Sequence, residues 1–325
     1  MWKRFFLVSL SSVGLNAVRE YTEDSILYFG VHDDTFVHRW GIQEIAQHVF
    51  DPRTEAFPTN PNSIVKFDPQ LVAKGDIVFA RDIPRFMKEL HPKIKEPYLL
   101  ITAGDYKDKA ESEHIDFLDD EKIIAWFCVH PFPRKHPKYH WLPLGIYQAE
   151  EFYKKREDLS SLFKRWRNIP KDKLLCSNFN LRPMFKPERN SIFDIFKAAD
   201  FCDITEKKPF LEYMREMAEY KFTLSPRGLG PDCYRTWEAL LVGSIPVLHS
   251  CYLDELYSDL PVLYVKDWTE VTPEFLELKY REISSKKYDI QKLFMNHWFN
   301  KIESVRDKFL RTMKVSSKPS SLTKK

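Results

Sequence analysis

One stretch of the sequence, residues 221–248, constrains the fold more than any other. Its pattern predicts an apolar strand at 221–225, then a glycine-containing loop, a helix and a second apolar strand at 244–248. Gly228 and Gly230, two of the nine glycines in the chain, fall between the first strand and the helix. Because parallel neighbouring strands need a crossover connection of this kind, the stretch predicts a βαβ unit.

The loop and the helix of this unit carry residues that suit a nucleoside diphosphate. Glycines let the backbone approach a ligand, and the first amides of a helix attract phosphate. Arg227 can bind a diphosphate through two hydrogen bonds, and Glu238 can accept both ribose hydroxyls. Asp232 is predicted as the N-cap of the helix and Gly243 as its C-cap. The candidate binding residues are Ser225, Arg227, Gly228, Gly230, Asp232, Arg235 and Glu238.

The spacing of these residues alone fits a nucleotide-binding role and a purely structural role equally well. Arg235 and Glu238 lie three residues apart, so they could form an ion pair on the helix surface. A Gly-x-Gly pair is a weak signal by itself. It also lacks the third glycine of the dinucleotide fingerprint, which argues against a Rossmann dehydrogenase.

The rest of the chain predicts two domains, since 325 residues is about twice the usual domain size. In the first half, short apolar runs alternate with helical stripes, which favours a parallel sheet covered on both faces. The runs predicted as strands are 25–30, 76–80, 98–102, 123–129 and 141–146. A turn-rich break at 168–172 separates the halves. We therefore predict an N-terminal domain over 1–168, a C-terminal domain over 169–315 and a disordered tail over 316–325.

Composition and charge narrow the function classes. Fifty basic and 47 acidic residues are mixed along the chain, so no nucleic-acid partner is predicted. The five cysteines include no Cys-x-x-Cys pair, which argues against a disulfide framework. No apolar run approaches the roughly 20 residues that span a bilayer. Residues 1–17 imitate a secretory signal only weakly, so the expected location is cytoplasmic, with peripheral membrane contact left open.

Three motifs together carry a family resemblance. They are Ser-Pro-Arg-Gly-x-Gly from Ser225, Asp-Cys-Tyr-Arg-Thr-Trp-Glu-Ala-Leu from Asp232, and Gly-Ser-Ile-Pro-Val from Gly243. The composite resembles exostosin-like glycosyltransferases of family 47, with supporting similarity over residues 98–270. The resemblance implies a glycosyltransferase B-type fold, in which two Rossmann-like, doubly wound domains face a cleft.

The resemblance also implies an activity. It is the inverting transfer of a hexosyl or pentosyl group from a nucleotide-sugar donor to a glycan, glycoprotein or other hydroxyl acceptor. The nucleoside-diphosphate sugar is then a co-substrate, and no cofactor or metal is expected. The sequence agrees on the metal, because no Asp-x-Asp pair follows a strand. Arg227 is expected to stabilise the departing diphosphate.

Inversion needs a general base near the acceptor hydroxyl. Asp105, just after the run 98–102, is the candidate, although it could instead cap a loop. Asp33 and Asp34 are rivals, and His130 is a further candidate as a base or an acceptor-binding residue, or simply a loop histidine.

Two further interpretations remain beside the enzyme. His130, His136 and His140 suggest a metal site, but the prolines between them break any helix that could align them. A catalytically silent nucleotide- or sugar-binding protein on the same fold is the functional alternative. Asn178, Arg182 and Arg189 are secondary candidates for the cleft.

Overall fold

The computed structural model describes residues 36–52, 67–103, 114–147, 159–181 and 188–316. Several predictions lie outside the described residues. They concern the strand at 25–30, the segment 1–17, the residues Asp33, Asp34, Asp105 and Arg182, and the tail from residue 317 onward.

The first unit is built on a parallel five-stranded sheet in the order β1-β2-β3-β4-β5. Its strands are β1 His48–Phe50, β2 Ile77–Ala80, β3 Tyr98–Ala103, β4 Ile123–Val129 and β5 Tyr139–Leu142. Every residue of β2 and β3 is buried, because both faces of the sheet are covered. Burial on both faces explains why these strands are continuous apolar runs rather than alternating ones.

Two elements of the first unit differ from the prediction. No strand was predicted at 48–50, but Val49 lies in β1, which follows the short helix Arg39–Glu44 and pairs with β2. The strand predicted at 141–146 begins and ends earlier, at Tyr139–Leu142. Pro143 lacks the N–H that a further ladder bond needs, and Gly145 turns the chain with a φ of 72°.

The second unit carries another parallel five-stranded sheet, in the order β10-β9-β8-β6-β7. Its strands are β6 Lys173–Ser177, β7 Cys202–Ile204, β8 Tyr220–Leu224, β9 Ile245–His249 and β10 Leu263–Val265. From β6 the chain adds β7 on one side and β8, β9 and β10 on the other, which is the mark of a doubly wound sheet. The prediction of two parallel-sheet α/β units is confirmed, and the βαβ unit at 221–248 is β8, a helix and β9.

The helices pack around the two sheets. They are α1 Arg39–Glu44, α2 Ile83–Arg85, α3 Leu159–Arg167, α4 Glu188–Phe196, α5 Phe210–Met217, α6 Tyr234–Val242, α7 Pro273–Ser284 and α8 Met295–Ser316. Beyond α2 the chain continues as a π-helical turn, Phe86–Leu90, and a 3-10 turn, His91–Lys93. Pro92 accounts for the loss of regular α-helix there. Ser316, predicted to begin the tail, is the last residue of α8.

One hydrophobic cluster spans both units, and each unit has a further cluster of its own. Trp237 of α6 and Trp298 and Ile302 of α8 are almost fully buried in the shared cluster, and α8 crosses back to contact β4 of the first sheet. Helix α3 packs on α6, where the Arg167 guanidinium donates to the carbonyl of Leu240. Within the described ranges, no helix is both long and apolar enough to cross a bilayer.

Candidate functional site

The second sheet has its topological switch point between β6 and β8. In open α/β sheets, ligands bind at the carboxyl ends of the strands beside such a point. Asn178 follows β6, and its side-chain oxygen accepts a hydrogen bond from Arg235 Nε at 2.7 Å. Arg235 is thus bound to the end of β6, and no ion pair joins it to Glu238 in the structure as described. The alternative of a helix-surface ion pair is therefore wrong.

The glycine loop after β8 is held in place by one buried arginine. The Arg189 guanidinium donates to the carbonyls of Arg227 at 2.9 Å, Pro226 at 3.2 Å and Asn180 at 3.0 Å. The loop also closes on itself, since the Gly228 amide donates to the Gly230 carbonyl at 3.0 Å. Because its backbone carbonyls are fixed in this way, the loop is preorganised before any ligand arrives.

A cavity of about 340 Å³ lies beside this loop, and we call it the loop cavity. Ser225 and Arg227 line it after β8, His249 and Cys251 line it at and just after the end of β9, and Lys266 lines it after β10. The cavity therefore lies at the carboxyl edge of the sheet.

Carboxylates of the loop cavity take part in local hydrogen bonds. Asp254 accepts from the Cys251 amide at 3.0 Å, and Asp267 accepts from the Thr269 amide at 2.8 Å. Asp267 is the N-cap of the 3-10 turn Trp268–Glu270. Glu188 is a third carboxylate of the cavity lining. The cationic Arg227 and Lys266 line the same space, which gives it two groups able to bind an anion.

The loop cavity brings together only Ser225 and Arg227 of the seven predicted binding residues. Ser225 is 2% exposed, and its hydroxyl pairs with Thr236 Oγ1 at 2.9 Å. The other five do not line the cavity. They are Gly228, Gly230, Asp232, Arg235 and Glu238.

Asp232 is not the helix N-cap that the sequence predicted. Cys233 holds that position, with no side-chain capping bond. The Asp232 carboxylate is 2% exposed and accepts from Trp237 Nε1, from the Tyr257 hydroxyl at 2.7 Å and from the Leu144 amide of the first unit at 2.7 Å. Burial raises its pKa to about 6, although these donors oppose the shift. Asp232 therefore ties the two units together. In contrast, Gly243 is the predicted C-cap, with a φ of 78°.

Glu238 also lies at the junction of the units. Its side chain is buried, with Oε1 accepting from the Tyr147 amide at 3.1 Å and Oε2 accepting from the Tyr213 hydroxyl at 2.9 Å. Burial raises the pKa of Glu238, while both hydrogen bonds and Arg235 act in the opposite direction. Both carboxylate oxygens have protein partners in this arrangement.

His130 of the first unit lies against Gly230 of the glycine loop. It follows β4 at the carboxyl edge of the first sheet and has a φ of 64°, a left-handed conformation rare for a residue with a Cβ. Conformations of this kind cluster at functional sites. Pro131, the next residue, accepts a hydrogen bond from the Tyr252 hydroxyl at 2.9 Å. The first unit thus meets the second beside the loop.

The candidate base and the histidines considered for a metal site lie in different parts of the first unit's sequence. Asp105 lies outside the described residues. The strand β3 ends at Ala103, at the carboxyl edge of the first sheet, two positions before Asp105. His136 and His140 line a second cavity, which is described below. In the described ranges, no three His, Cys, Asp or Glu side chains are grouped so as to hold a metal ion.

Several residues of the site were not predicted from the sequence. His249, Lys266 and Tyr257 line the loop cavity, and Tyr213 bonds Glu238. His249 ends β9 and Lys266 follows β10 directly, so the carboxyl-edge rule applied to every strand would have found both. Tyr257 and Tyr213 carry no such signal, because their positions depend on tertiary packing.

Comparison with known proteins adds a family signal in the C-terminal half. Residues 192–317 match the family model described as RXYLT1 C-terminal domain. A curated relative, ribitol-5-phosphate xylosyltransferase 1 of Danio rerio, is 28% identical over 116 residues, covering 31% of this chain and 26% of the relative. The chain thus spans about a quarter of the length of that relative. These matches support a glycosyltransferase and do not confirm the exostosin family.

Similar solved structures are remote. The catalytic domain of starch synthase IV from Arabidopsis thaliana has a TM-score of 0.37 and 11% identity, covering 72% of this chain and 73% of the other. A UDP-forming trehalose-phosphate synthase from Burkholderia vietnamiensis has a TM-score of 0.37 and 10% identity, covering 76% of each chain. TM-scores and sequence identities this low do not indicate a shared activity.

Proposed function

We propose that this chain is an inverting glycosyltransferase that moves a sugar from a nucleoside-diphosphate donor to a hydroxyl group of a glycan, a protein or another acceptor. The observation that carries the proposal is the loop cavity. It lies at the carboxyl edge of a doubly wound sheet, and Arg227 lines it. The match to the family model described as RXYLT1 C-terminal domain, over residues 192–317, covers the same segment.

Arg227 has the central role in this proposal. A departing nucleoside diphosphate develops negative charge, and a preorganised cation beside it stabilises the transition state. Arg189 holds the Arg227 carbonyl, so the loop that presents Arg227 does not need to reorganise during the reaction. Charge neutralisation by arginine fits a reaction that runs without a metal ion.

In this proposal Glu238 binds the ribose of the donor, in a state in which the two units have separated near this residue. The bond from the Tyr147 amide comes from the first unit, so separating the units at this point would release Oε1 for a ribose hydroxyl. Tyr213 belongs to α5 of the second unit and would continue to orient the carboxylate.

The general base comes from the first unit in this proposal. Asp105 is the candidate carboxylate. His130 lies against Gly230, and we assign it a role in positioning the part of the glycine loop that faces the first unit. The name of the curated relative makes a xylosyl or other pentosyl donor the first one to test.

A donor-consumption assay tests this proposal. The release of nucleoside diphosphate is measured for a panel of pentose and hexose donors, with hydroxyl acceptors and in the presence of EDTA. Wild-type protein is expected to consume one donor selectively, and Asp105→Asn is expected to bind that donor while losing at least tenfold in turnover. Selective donor binding without consumption under any acceptor would favour the catalytically silent alternative.

A further inference from the structure

A second, larger cavity of about 540 Å³ lies between the two units, and we call it the basic cavity. One wall is the segment 134–141 of the first unit, and the other is the start of α8. A single segment after β9 separates it from the loop cavity. Cys251, Asp254 and Tyr257 of that segment line the loop cavity, whereas Glu255 and Leu256 line the basic cavity.

The lining of the basic cavity has a strong excess of positive charge. The cationic side chains are Arg134, Lys135, Lys292 and Lys301. His136, His140 and His297 add three more groups that can donate hydrogen bonds, and Glu255 is the single carboxylate of the lining. Arginine, lysine and histidine together are the residue types that bind phosphate and sulfate groups.

Nearby carboxylates compensate this charge only in part. Arg134 lies 3.6 Å from Asp116, and Lys292 lies 3.7 Å from Asp259. Both aspartates are largely exposed, at 87% and 75%, so solvent screens these pairs. Lys301 forms no ion pair within the described ranges, and its ammonium lies 5.2 Å from the centre of the Trp298 ring.

Burial lowers the pKa values of three groups of the lining, and neighbouring lysines add to each shift. Burial lowers the pKa of His140 to about 4, and Lys301 contributes to the shift. Burial also lowers the pKa of His297, with further contributions from Lys292 and Lys301. Lys301 itself has a lowered pKa, through desolvation and Lys292. Lys292 and Lys301 therefore both disfavour the protonated form of His297, an effect that a bound anion would oppose.

We propose that the basic cavity is an oxyanion-binding site for a phosphate- or sulfate-type group, held chiefly by Lys301, Arg134 and Lys135. The site is separate from the loop cavity and does not depend on the proposed transferase activity. Its lining comes from both units, so an anion bound there would also link the first unit to α8.

The test uses full-length protein in which Arg227→Ala weakens anion binding to the loop cavity. Inorganic phosphate is titrated by calorimetry at constant ionic strength, so that screening does not change. We expect Lys301→Gln to weaken phosphate binding at least fivefold. The matched control is Lys308→Gln, which removes the same charge from an exposed position of the same helix outside the cavity, and it should leave the affinity within twofold.

A second readout distinguishes the site from general charge attraction. Phosphate in the basic cavity should raise the pKa values of His140 and His297, followed through their ring proton resonances. The proposal is wrong if Lys301→Gln and Lys308→Gln weaken binding equally, or if the two histidines do not respond to phosphate.

A third titration, with methyl phosphate, distinguishes a free phosphate ion from a phosphate group carried on a larger molecule. Equal affinity for methyl phosphate and inorganic phosphate supports a site for a phosphate group carried on a larger molecule. A tenfold preference for inorganic phosphate supports a site for the free ion.

Discussion

Gly230 and His130 are in such close contact that no side chain fits between them. A Cβ built on Gly230 would lie 2.6 Å from His130 Nδ1, well inside the distance that real Cβ atoms tolerate. His130 already has a φ of 64°, so it has little freedom to move away. The contact joins the glycine loop of the second unit to the carboxyl edge of the first sheet, where we propose that donor and acceptor meet.

Gly230→Ala is therefore expected to displace His130 or the loop. We expect a loss of about 1–3 kcal/mol in the free energy of unfolding, as for other overpacked sites, and at least a tenfold loss of donor turnover. The control is Gly228→Ala, whose Cβ would meet Arg189 Nη2 at 3.3 Å, a much less severe approach than the 2.6 Å at Gly230. Denaturant unfolding and the donor assay should show the smaller effect for Gly228→Ala, and the reverse order would argue against the contact.

Asp232→Ala should destabilise the protein strongly. The change leaves the buried donors of Leu144, Trp237 and Tyr257 without their acceptor. A buried donor left unpaired costs about 1–3 kcal/mol, so a total loss of several kcal/mol is expected in urea unfolding. A change close to zero would mean that the carboxylate does not tie the units together.

The pH dependence of stability tests the burial of Asp232 directly. Its pKa is raised from 3.8 to about 6, so the folded state binds the proton before the unfolded state does. As pH falls from about 6 to about 4, wild type should therefore gain stability relative to Asp232→Asn, by at most roughly 3 kcal/mol. A constant difference between the two proteins across that window would contradict the raised pKa.

Tyr213→Phe tests the orientation of Glu238. The hydroxyl that donates to Oε2 is lost, and the buried carboxylate keeps the Tyr147 amide as its other hydrogen-bond donor. We expect a loss of about 1–3 kcal/mol in stability and a weaker affinity for the nucleotide part of the donor. Tyr280→Phe, whose hydroxyl makes no hydrogen bond with described residues, serves as the control. Unchanged nucleotide affinity in Tyr213→Phe would remove the ribose role from Glu238.

The sequence predicted the fold better than the site, for a physical reason. Buried parallel strands need continuous apolar runs, so β4 could be located to the residue and β8 and β9 to within one residue. Two of the three-residue strands, β1 and β7, were missed. Gly243 was predicted correctly, since its positive φ is a local requirement.

The roles of Asp232 and Glu238 could not be predicted in the same way. Their residue types and spacing suit a ligand, yet each carboxylate accepts hydrogen bonds from the first unit, from Leu144 and Tyr147. Those partners lie about 90 residues away in sequence, at 88 and 91 positions. Contacts of this kind depend on how the two units pack, which no local pattern records.

Calorimetric titration of nucleoside diphosphates into wild type, Arg227→Ala and Arg227→Lys tests the central claim most directly. We expect wild type to bind one nucleoside diphosphate selectively and Arg227→Ala to lose at least tenfold in affinity. Arg227→Lys should recover part of the loss, because it restores the charge but not the two-pronged hydrogen bonding. Equal affinity in all three proteins, or no binding by wild type, would contradict the assignment of the loop cavity as the donor site.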